Sequence, residues 1–106
     1  MIAWLCLGLL LTPGHVKRVI DADTFILYHV GVPAEERVRV LGVDGIELRD
    51  SLGPAARMFT VEWLARGPFA VTACKRDSFG RLLGTVTRGP DTLAVDLIAV
   101  HLGVPL

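Results

Sequence analysis

The sequence predicts an α+β domain that is mainly β, with five strands and two helices. Five segments rich in β-branched and aromatic residues are separated by turn-forming residues. Two further segments carry apolar residues at helical spacing. The length of 106 residues allows one modest hydrophobic core but is too short for two.

The first three strands are predicted in the first half of the chain. Segments 16–20 and 24–30 are separated by Asp21-Ala22-Asp23, and a turn at 31–36 leads to the third strand at 37–43. The third strand carries valine and leucine on both of its faces. It is therefore expected to be central and covered on both sides.

The second half of the chain predicts a helix, two strands and a second helix. After a polar loop at 44–53, segment 53–67 predicts a helix with Pro54 near its first turn and Gly67 just past its end. The remaining elements are strands at 69–75 and 82–88 and a helix at 93–102. Three strands, a helix, two strands and a helix have the layout of an OB-fold, a five-stranded barrel with two attached helices.

The first 14 residues form a hydrophobic leader that contains no charged side chain. Its apolar run is about half of the ~20 residues that a membrane span requires. It is more typical of a secretory signal, with Thr12 and Gly14 small enough to flank a cleavage site. We therefore expect a folded domain at 15–106 in a secreted or periplasmic protein. An additional strand at the start is the alternative, and a cytoplasmic or membrane-tethered form stays open.

The charges of the chain balance, and their placement is more informative than their sum. Eleven basic and eleven acidic residues give no net attraction to nucleic acid or to a membrane surface. Arg39 lies within the third predicted strand, where an unpaired guanidinium would be costly to bury. Asp44 and Glu47 follow directly after that strand. We therefore expect Arg39 to be paired or to face a cleft.

Asp21 and Asp23 are two residues apart, so their side chains point to one side of an extended chain. Arg81 lies at the start of the fifth predicted strand. Taken singly, each of these residues is more typical of a turn or of a solvated surface than of a functional site. Their positions at element ends nevertheless suit a site at the mouth of a barrel.

Four motifs together resemble the staphylococcal-nuclease (thermonuclease) family. They are VIDADTFIL, RVLGVDGIE, GPAARMF and DSFGRLLG, in the family's order and at compatible spacings. The resemblance extends from about Val16 to Gly103. It implies an OB-fold and a calcium-dependent endonuclease that hydrolyses DNA, and possibly RNA, with little sequence specificity.

The resemblance also implies a role for each matching residue. Asp23 and Asp44 match the carboxylate ligands of Ca²⁺, and Glu47 matches the general base. The phosphate-binding arginines correspond to Arg39 and Arg81, and Asp21 and Thr24 correspond to supporting residues. A monomer is expected, without stable membrane association beyond the leader. The alternative function is a catalytically inactive OB-fold module that binds nucleic acid or protein.

Two positions depart from the family pattern. Ala22 stands where the family usually has glycine, and Gly45-Ile46 precedes Glu47 where a proline is usual. If residue 22 needs a positive φ, alanine there is strained. The missing proline is expected to loosen the loop that presents Glu47.

Overall fold

The computed structural model describes residues 7–28 and 34–106, apart from the side chains of Leu7 and Cys74. The first six residues of the predicted leader, the end of the second predicted strand and much of the turn at 31–36 lie outside the described residues.

Within the described residues the chain is mainly strands with two helices, which confirms the α+β prediction. A 3₁₀ turn at Pro13–His15 separates the first two strands. The strands are β1 (Leu7–Leu11), β2 (Val16–Asp21), β3 (Thr24–Tyr28), β4 (Glu35–Val40), β5 (Val43–Gly45), β6 (Phe69–Arg76), β7 (Leu82–Arg88), β8 (Asp91–Thr92) and β9 (Gly103–Pro105). The helices are α1 (Gly53–Ala65) and α2 (Leu93–Ala99).

The main sheet of the described chain has the strand order β1-β6-β7-β4-β3-β2, with β8 paired to β7. Its pairs are antiparallel except for β4 and β7, which run parallel. β1 and β2 lie at opposite ends of this order, although only Thr12–His15 separate them in the chain. The sheet must therefore curl into a half-barrel that brings its two ends close together.

The hydrophobic core fills the concave side of this sheet and is closed by the two helices. Phe25 of β3 and Phe69 of β6 meet edge to face, with ring centroids 6.4 Å apart. Trp63 of α1 is fully buried, and its indole N–H donates to the Asp96 carboxylate of α2 at 2.8 Å. This bond gives the one polar atom of the ring a partner and fixes α1 against α2.

The prediction that the third strand continues to residue 43 and is covered on both faces was wrong. β4 ends at Val40, and a turn at Leu41-Gly42, with φ +89° at Gly42, separates it from β5. Val38 and Val40 are buried, whereas Arg37 on the other face is exposed. The face of β4 opposite the valines is therefore open to solvent at Arg37.

The buried face of α1 also differs from the predicted one. The helical spacing of the sequence predicts an apolar stripe of Ala55, Met58, Phe59 and Trp63, but Ala55 and Met58 are exposed. Ala56 and Thr60 are buried with Trp63, one turn apart along the helix. The small side chains of Ala56 and Thr60 let α1 approach the sheet closely, which a stripe chosen for large apolar residues does not reveal.

Part of the predicted leader belongs to the sheet. Leu7–Leu11 pair antiparallel with β6, and the Leu11 side chain is only 1% exposed. The predicted boundary at residue 14 falls inside the 3₁₀ turn. None of the helices in the described ranges is both long and apolar enough to span a bilayer. Export of the protein stays a prediction.

Candidate functional site

The turn between β2 and β3 carries Asp21 and Asp23 and is held in place by nearby donors. The Asp23 backbone N–H donates to Asp21 Oδ1 at 3.2 Å, and the Thr24 hydroxyl donates to Asp23 Oδ1 at 3.1 Å. From α1, the Thr60 hydroxyl donates to the Ala22 carbonyl at 2.7 Å. The turn predicted from sequence is therefore present, and the Asp23 carboxylate has a fixed orientation.

Arg39 joins this turn to β5. Its Nη1 donates to the carbonyls of Val40 and Val43 at 2.7 and 2.9 Å, which closes the glycine turn after β4. Its Nη2 lies 3.5 Å from Asp23 Oδ2 and 3.5 Å from Asp44 Oδ1. The Arg39 side chain is 15% exposed, so the expectation that it is paired is confirmed.

The backbone of β5 closes the cluster of Asp23, Arg39 and Asp44. The Gly45 N–H donates to Asp23 Oδ2 at 2.8 Å. β5 pairs with β9, where Asp44 lies opposite Val104. The Asp44 side chain is 60% exposed, so this carboxylate faces solvent beside a guanidinium that is largely covered.

The two departures from the family pattern lie against each other. Ala22 is buried, and it is not among the residues with a positive φ, so alanine is unstrained there. A Cβ added to Gly45 would lie 2.8 Å from the Ala22 Cβ and 3.2 Å from Asp23 Oδ2. The Ala22 methyl group therefore occupies the space that a side chain at residue 45 would need.

We expect Gly45→Ala to destabilise the protein by about 1–3 kcal/mol because of this overlap. In an Ala22→Gly background the same substitution should cost less, with a coupling of about 0.5–3 kcal/mol between the two positions. Urea unfolding of the four proteins in the cycle measures both quantities. Additive effects would show that the two positions are independent.

Glu47 lies outside the cluster of Asp23, Arg39 and Asp44. Its carboxylate pairs with Arg49 Nε at 2.6 Å, and the two side chains are 63% and 86% exposed. The loop carrying Glu47 ends where Gly53 begins α1, and two local hydrogen bonds, from Asp50 to Glu47 and from Gly53 to Asp50, shape it. The sequence-predicted general base is thus on an exposed loop next to the site.

Arg81 is held in the turn between β6 and β7 by Asp77. The Asp77 carboxylate accepts the Arg81 Nε–H at 2.6 Å and the backbone N–H groups of Arg81 and Phe79, both at 2.9 Å. Partial burial acts to raise the pKa of Asp77, but these donors outweigh it and hold the pKa below its ordinary value. Asp77 keeps its charge and fixes the Arg81 side chain.

β7 connects Arg81 to the rest of the site. Leu83 of β7 lies opposite Arg39 of β4 in the parallel register, and Arg81 is two residues before Leu83. The structure therefore places Arg81 just before the strand that neighbours β4, although the Arg81 and Arg39 side chains have separate carboxylate partners.

The sequence reasoning missed Asp77 and Thr60. Asp77 lies four residues before Arg81 in a tight turn, and this spacing of opposite charges could have indicated the ion pair between them. Thr60 lies on the buried face of a helix among apolar residues, and no local sequence pattern indicates that it donates a hydrogen bond to the turn between β2 and β3.

The pKa of Asp21 is raised to about 6, first by burial of the carboxyl group and then by its side-chain hydrogen bond with Asp23 and the negative charge of Asp23. A raised pKa means that the folded protein binds the Asp21 proton more tightly than the unfolded chain does. The resulting stabilisation is present below about pH 4 and is lost as the pH rises through about 6.

We therefore expect Asp21→Asn to increase the free energy of unfolding at pH 7 relative to wild type, and to have little or no such effect at pH 4. Urea unfolding of both proteins at the two pH values, in chelator, measures the difference. An equal effect at both pH values would contradict a raised pKa.

Oxygen ligands at this site suit a hard cation. Asp23 and Asp44 direct carboxylate oxygens at the same guanidinium nitrogen, and neither histidine nor cysteine belongs to the cluster. Among residues 7–28 and 34–106 no group of three or more His, Cys, Asp or Glu side chains could enclose a metal ion. Two carboxylates with an open side fit Ca²⁺ that retains several waters.

Comparison with known proteins gives a relative but no family. No family model matches the chain. The chain is 33% identical over 98 residues to Protein ParB of Escherichia coli, in an alignment that covers 86% of this chain and 54% of that protein. The chain thus spans about half the length of the curated relative that it matches.

Proposed function

We propose that the chain is a nuclease of the staphylococcal-nuclease type, a calcium-dependent endonuclease that hydrolyses phosphodiester bonds in DNA with little sequence specificity. RNA is the second candidate substrate. The observation that carries the proposal is the cluster of Asp23, Arg39 and Asp44. These residues come from three separate segments, and each occupies the position that the family resemblance assigns to a site residue.

The sheet topology supports an OB-fold as the scaffold. A single parallel pair, β4 and β7, occurs in an otherwise antiparallel curled sheet of the described residues. β1 and β2 follow each other in the chain but form the two opposite edges of the sheet, where they pair with β6 and β3. Together they would act as one interrupted strand that nearly closes a barrel. The cluster lies where the turn between β2 and β3 meets β4 and β5, and OB-folds bind ligands on a strand face and its adjoining loops.

Arg39 and Arg81 are proposed to bind the scissile phosphate. A guanidinium can donate two parallel hydrogen bonds to non-bridging oxygens and stabilise the charge that builds up in the transition state. Arg39 is already fixed by two backbone carbonyls, and Arg81 is fixed by Asp77. Both arginines therefore meet the phosphate with little loss of side-chain entropy.

Asp23 and Asp44 would hold the calcium ion. When bound, Ca²⁺ offsets negative charge on the phosphate and orients the attacking water. Asp23 is kept in place by Thr24 and Gly45, so it can hold a cation without rearrangement. Since these groups recognise phosphate and not base edges, weak sequence preference follows.

Glu47 is proposed to accept the proton of the attacking water, a role worth about 10²–10⁴-fold in rate. In the present conformation its carboxylate is paired with Arg49, so it must release this exposed partner to reach the water. Surface ion pairs of this kind contribute only about 0–1 kcal/mol to stability, so breaking the pair between Glu47 and Arg49 requires little free energy. The hydrophobic run of the leader suggests an exported enzyme, and a monomer is proposed.

The second candidate function is an inactive OB-fold module that binds nucleic acid or protein. The separation of Glu47 from the cluster of Asp23, Arg39 and Asp44 favours it, because a binding module needs no general base.

A cleavage assay separates the two functions. The full chain is incubated with plasmid and with single-stranded DNA, in Ca²⁺ or in chelator, beside a Glu47→Gln variant. The nuclease is expected to cleave both substrates in Ca²⁺ alone, with the variant about 10²–10⁴-fold slower. Equal behaviour of the two proteins, with DNA bound but intact, would support the binding module.

A further inference from the structure

An open groove lies beside the proposed phosphate site, on the exposed side of the sheet. Arg37, Phe79 and Arg81 line this groove, which has a volume of about 410 Å³. Of the three residues, only Arg81 has a role in the proposed site. Arg37 and Phe79 are the residues that need an explanation.

The strand register places several positive charges on the face that contains the groove. Arg37 and Arg39 are two residues apart on β4, so both lie on the face opposite the buried valines. Leu83 of β7 lies between Arg39 of β4 and Lys75 of β6 in the paired strands. Basic residues thus lie on β4 and β6 on this side of the sheet, and Arg81 directly precedes β7, the strand between them.

Arg37 has no ion-pair partner in the described part of the chain, and its side chain is exposed. The nearby Arg76, by contrast, is paired with both carboxylate oxygens of Glu36, at 2.5 and 3.0 Å. A free guanidinium at the edge of a groove is available to an anionic ligand. The charge of the groove therefore complements a phosphate chain.

Phe79 is 84% exposed, the most exposed large hydrophobic side chain among the described residues. Its position is well defined because the Asp77 carboxylate accepts its N–H, and the Arg81 guanidinium lies 5.6 Å from its ring centroid. The exposure of Phe79 excludes core packing.

We propose that Arg37 and Phe79 form an additional nucleotide subsite for a single-stranded segment. One base stacks on the Phe79 ring, and Arg37 binds the phosphate next to the one held by Arg39 and Arg81. A single strand is the occupant because its base faces are free to stack, and aromatic stacking with backbone contacts is the usual way to bind it. The identification of the neighbouring phosphate as the scissile one rests on the proposed function.

Binding measured without hydrolysis tests the subsite. Fluorescence anisotropy of a labelled eight-nucleotide oligo(dT) is recorded in EGTA with the full chain, with Arg37→Ala and with Phe79→Ala. Arg66→Ala is the matched control, since Arg66 is an exposed arginine at the end of α1. Circular dichroism verifies that each variant is folded.

Phe79→Ala is expected to weaken binding by roughly 5- to 100-fold, in line with the loss of one stacked base. Arg37→Ala is expected to weaken it by about 3- to 10-fold and to reduce the salt slope by about 0.7, the value for one phosphate on a single strand. Arg66→Ala should bind as wild type does. A duplex of the same length should bind more weakly and be insensitive to Phe79→Ala.

Wild-type affinity in both Arg37→Ala and Phe79→Ala would overturn the subsite, even if the protein cleaves DNA. Equal losses for oligo(dT) and duplex in Phe79→Ala would also overturn it, because stacking on a paired base is not available. Conversely, binding that depends on both residues in a protein that never cleaves DNA would support the subsite and overturn the proposed nuclease.

Discussion

Arg39→Ala is expected to lower kcat/KM for phosphodiester cleavage by about 10²–10³-fold, the usual effect of removing one donor that stabilises transition-state charge. The physical reason is that Arg39 is held by two backbone carbonyls and lies against both Asp23 and Asp44. Steady-state kinetics on a single-stranded oligonucleotide in Ca²⁺ measure the loss.

Arg39→Lys is the matched control for charge. Lysine keeps the positive charge but cannot donate to two carbonyls and a phosphate with one planar group. We expect this variant to recover only part of the activity. Activity equal to wild type in Arg39→Ala would show that the cluster is not the phosphate site.

Gly53→Ala is expected to have the largest effect on stability. A Cβ at residue 53 would lie 2.6 Å from the Leu48 carbonyl carbon and closer still to the carbonyl oxygens of Glu47 and Leu48. Because these atoms belong to the backbone, they cannot move aside as a flexible side chain can. We expect a loss of about 1–3 kcal/mol or more in the free energy of unfolding, measured by urea denaturation.

Gly67→Ala is the control for Gly53→Ala. The nearest atom to a Cβ at residue 67 is the Arg88 Cδ at 4.0 Å, which is ordinary contact. This variant should lie within about 0.5 kcal/mol of wild type, as surface substitutions usually do. If Gly53→Ala were as stable as Gly67→Ala, the loop that carries Glu47 would not pack on the start of α1 as described.

The larger elements of the fold could be predicted because their signals are local. Strands β2, β6 and β7 and the start of α1 follow from apolar runs bounded by glycine, proline and aspartate. β5 and β9 could not be predicted in the same way. Each has three residues, and each is a strand only because it pairs with the other across more than 50 residues of chain.

The proximity of three of the candidate residues could be predicted from the sequence, but the placement of the others could not. Asp23, Arg39 and Asp44 come together as the motif order implied. Glu47 and Arg81 make their ion pairs with the nearby residues Arg49 and Asp77 instead. The complementary fit of Ala22 and Gly45 could not be read from the sequence, since it depends on the distance between two turns.

The calcium dependence of cleavage by the full chain tests the central claim most directly. Initial rates on a single-stranded oligonucleotide are measured as Ca²⁺ is added to protein prepared in EGTA, beside Asp44→Asn. We expect no cleavage in EGTA, a saturable rise with Ca²⁺, and a higher calcium requirement in the variant. Cleavage that is undiminished in EGTA, or absent at every calcium concentration, would contradict it.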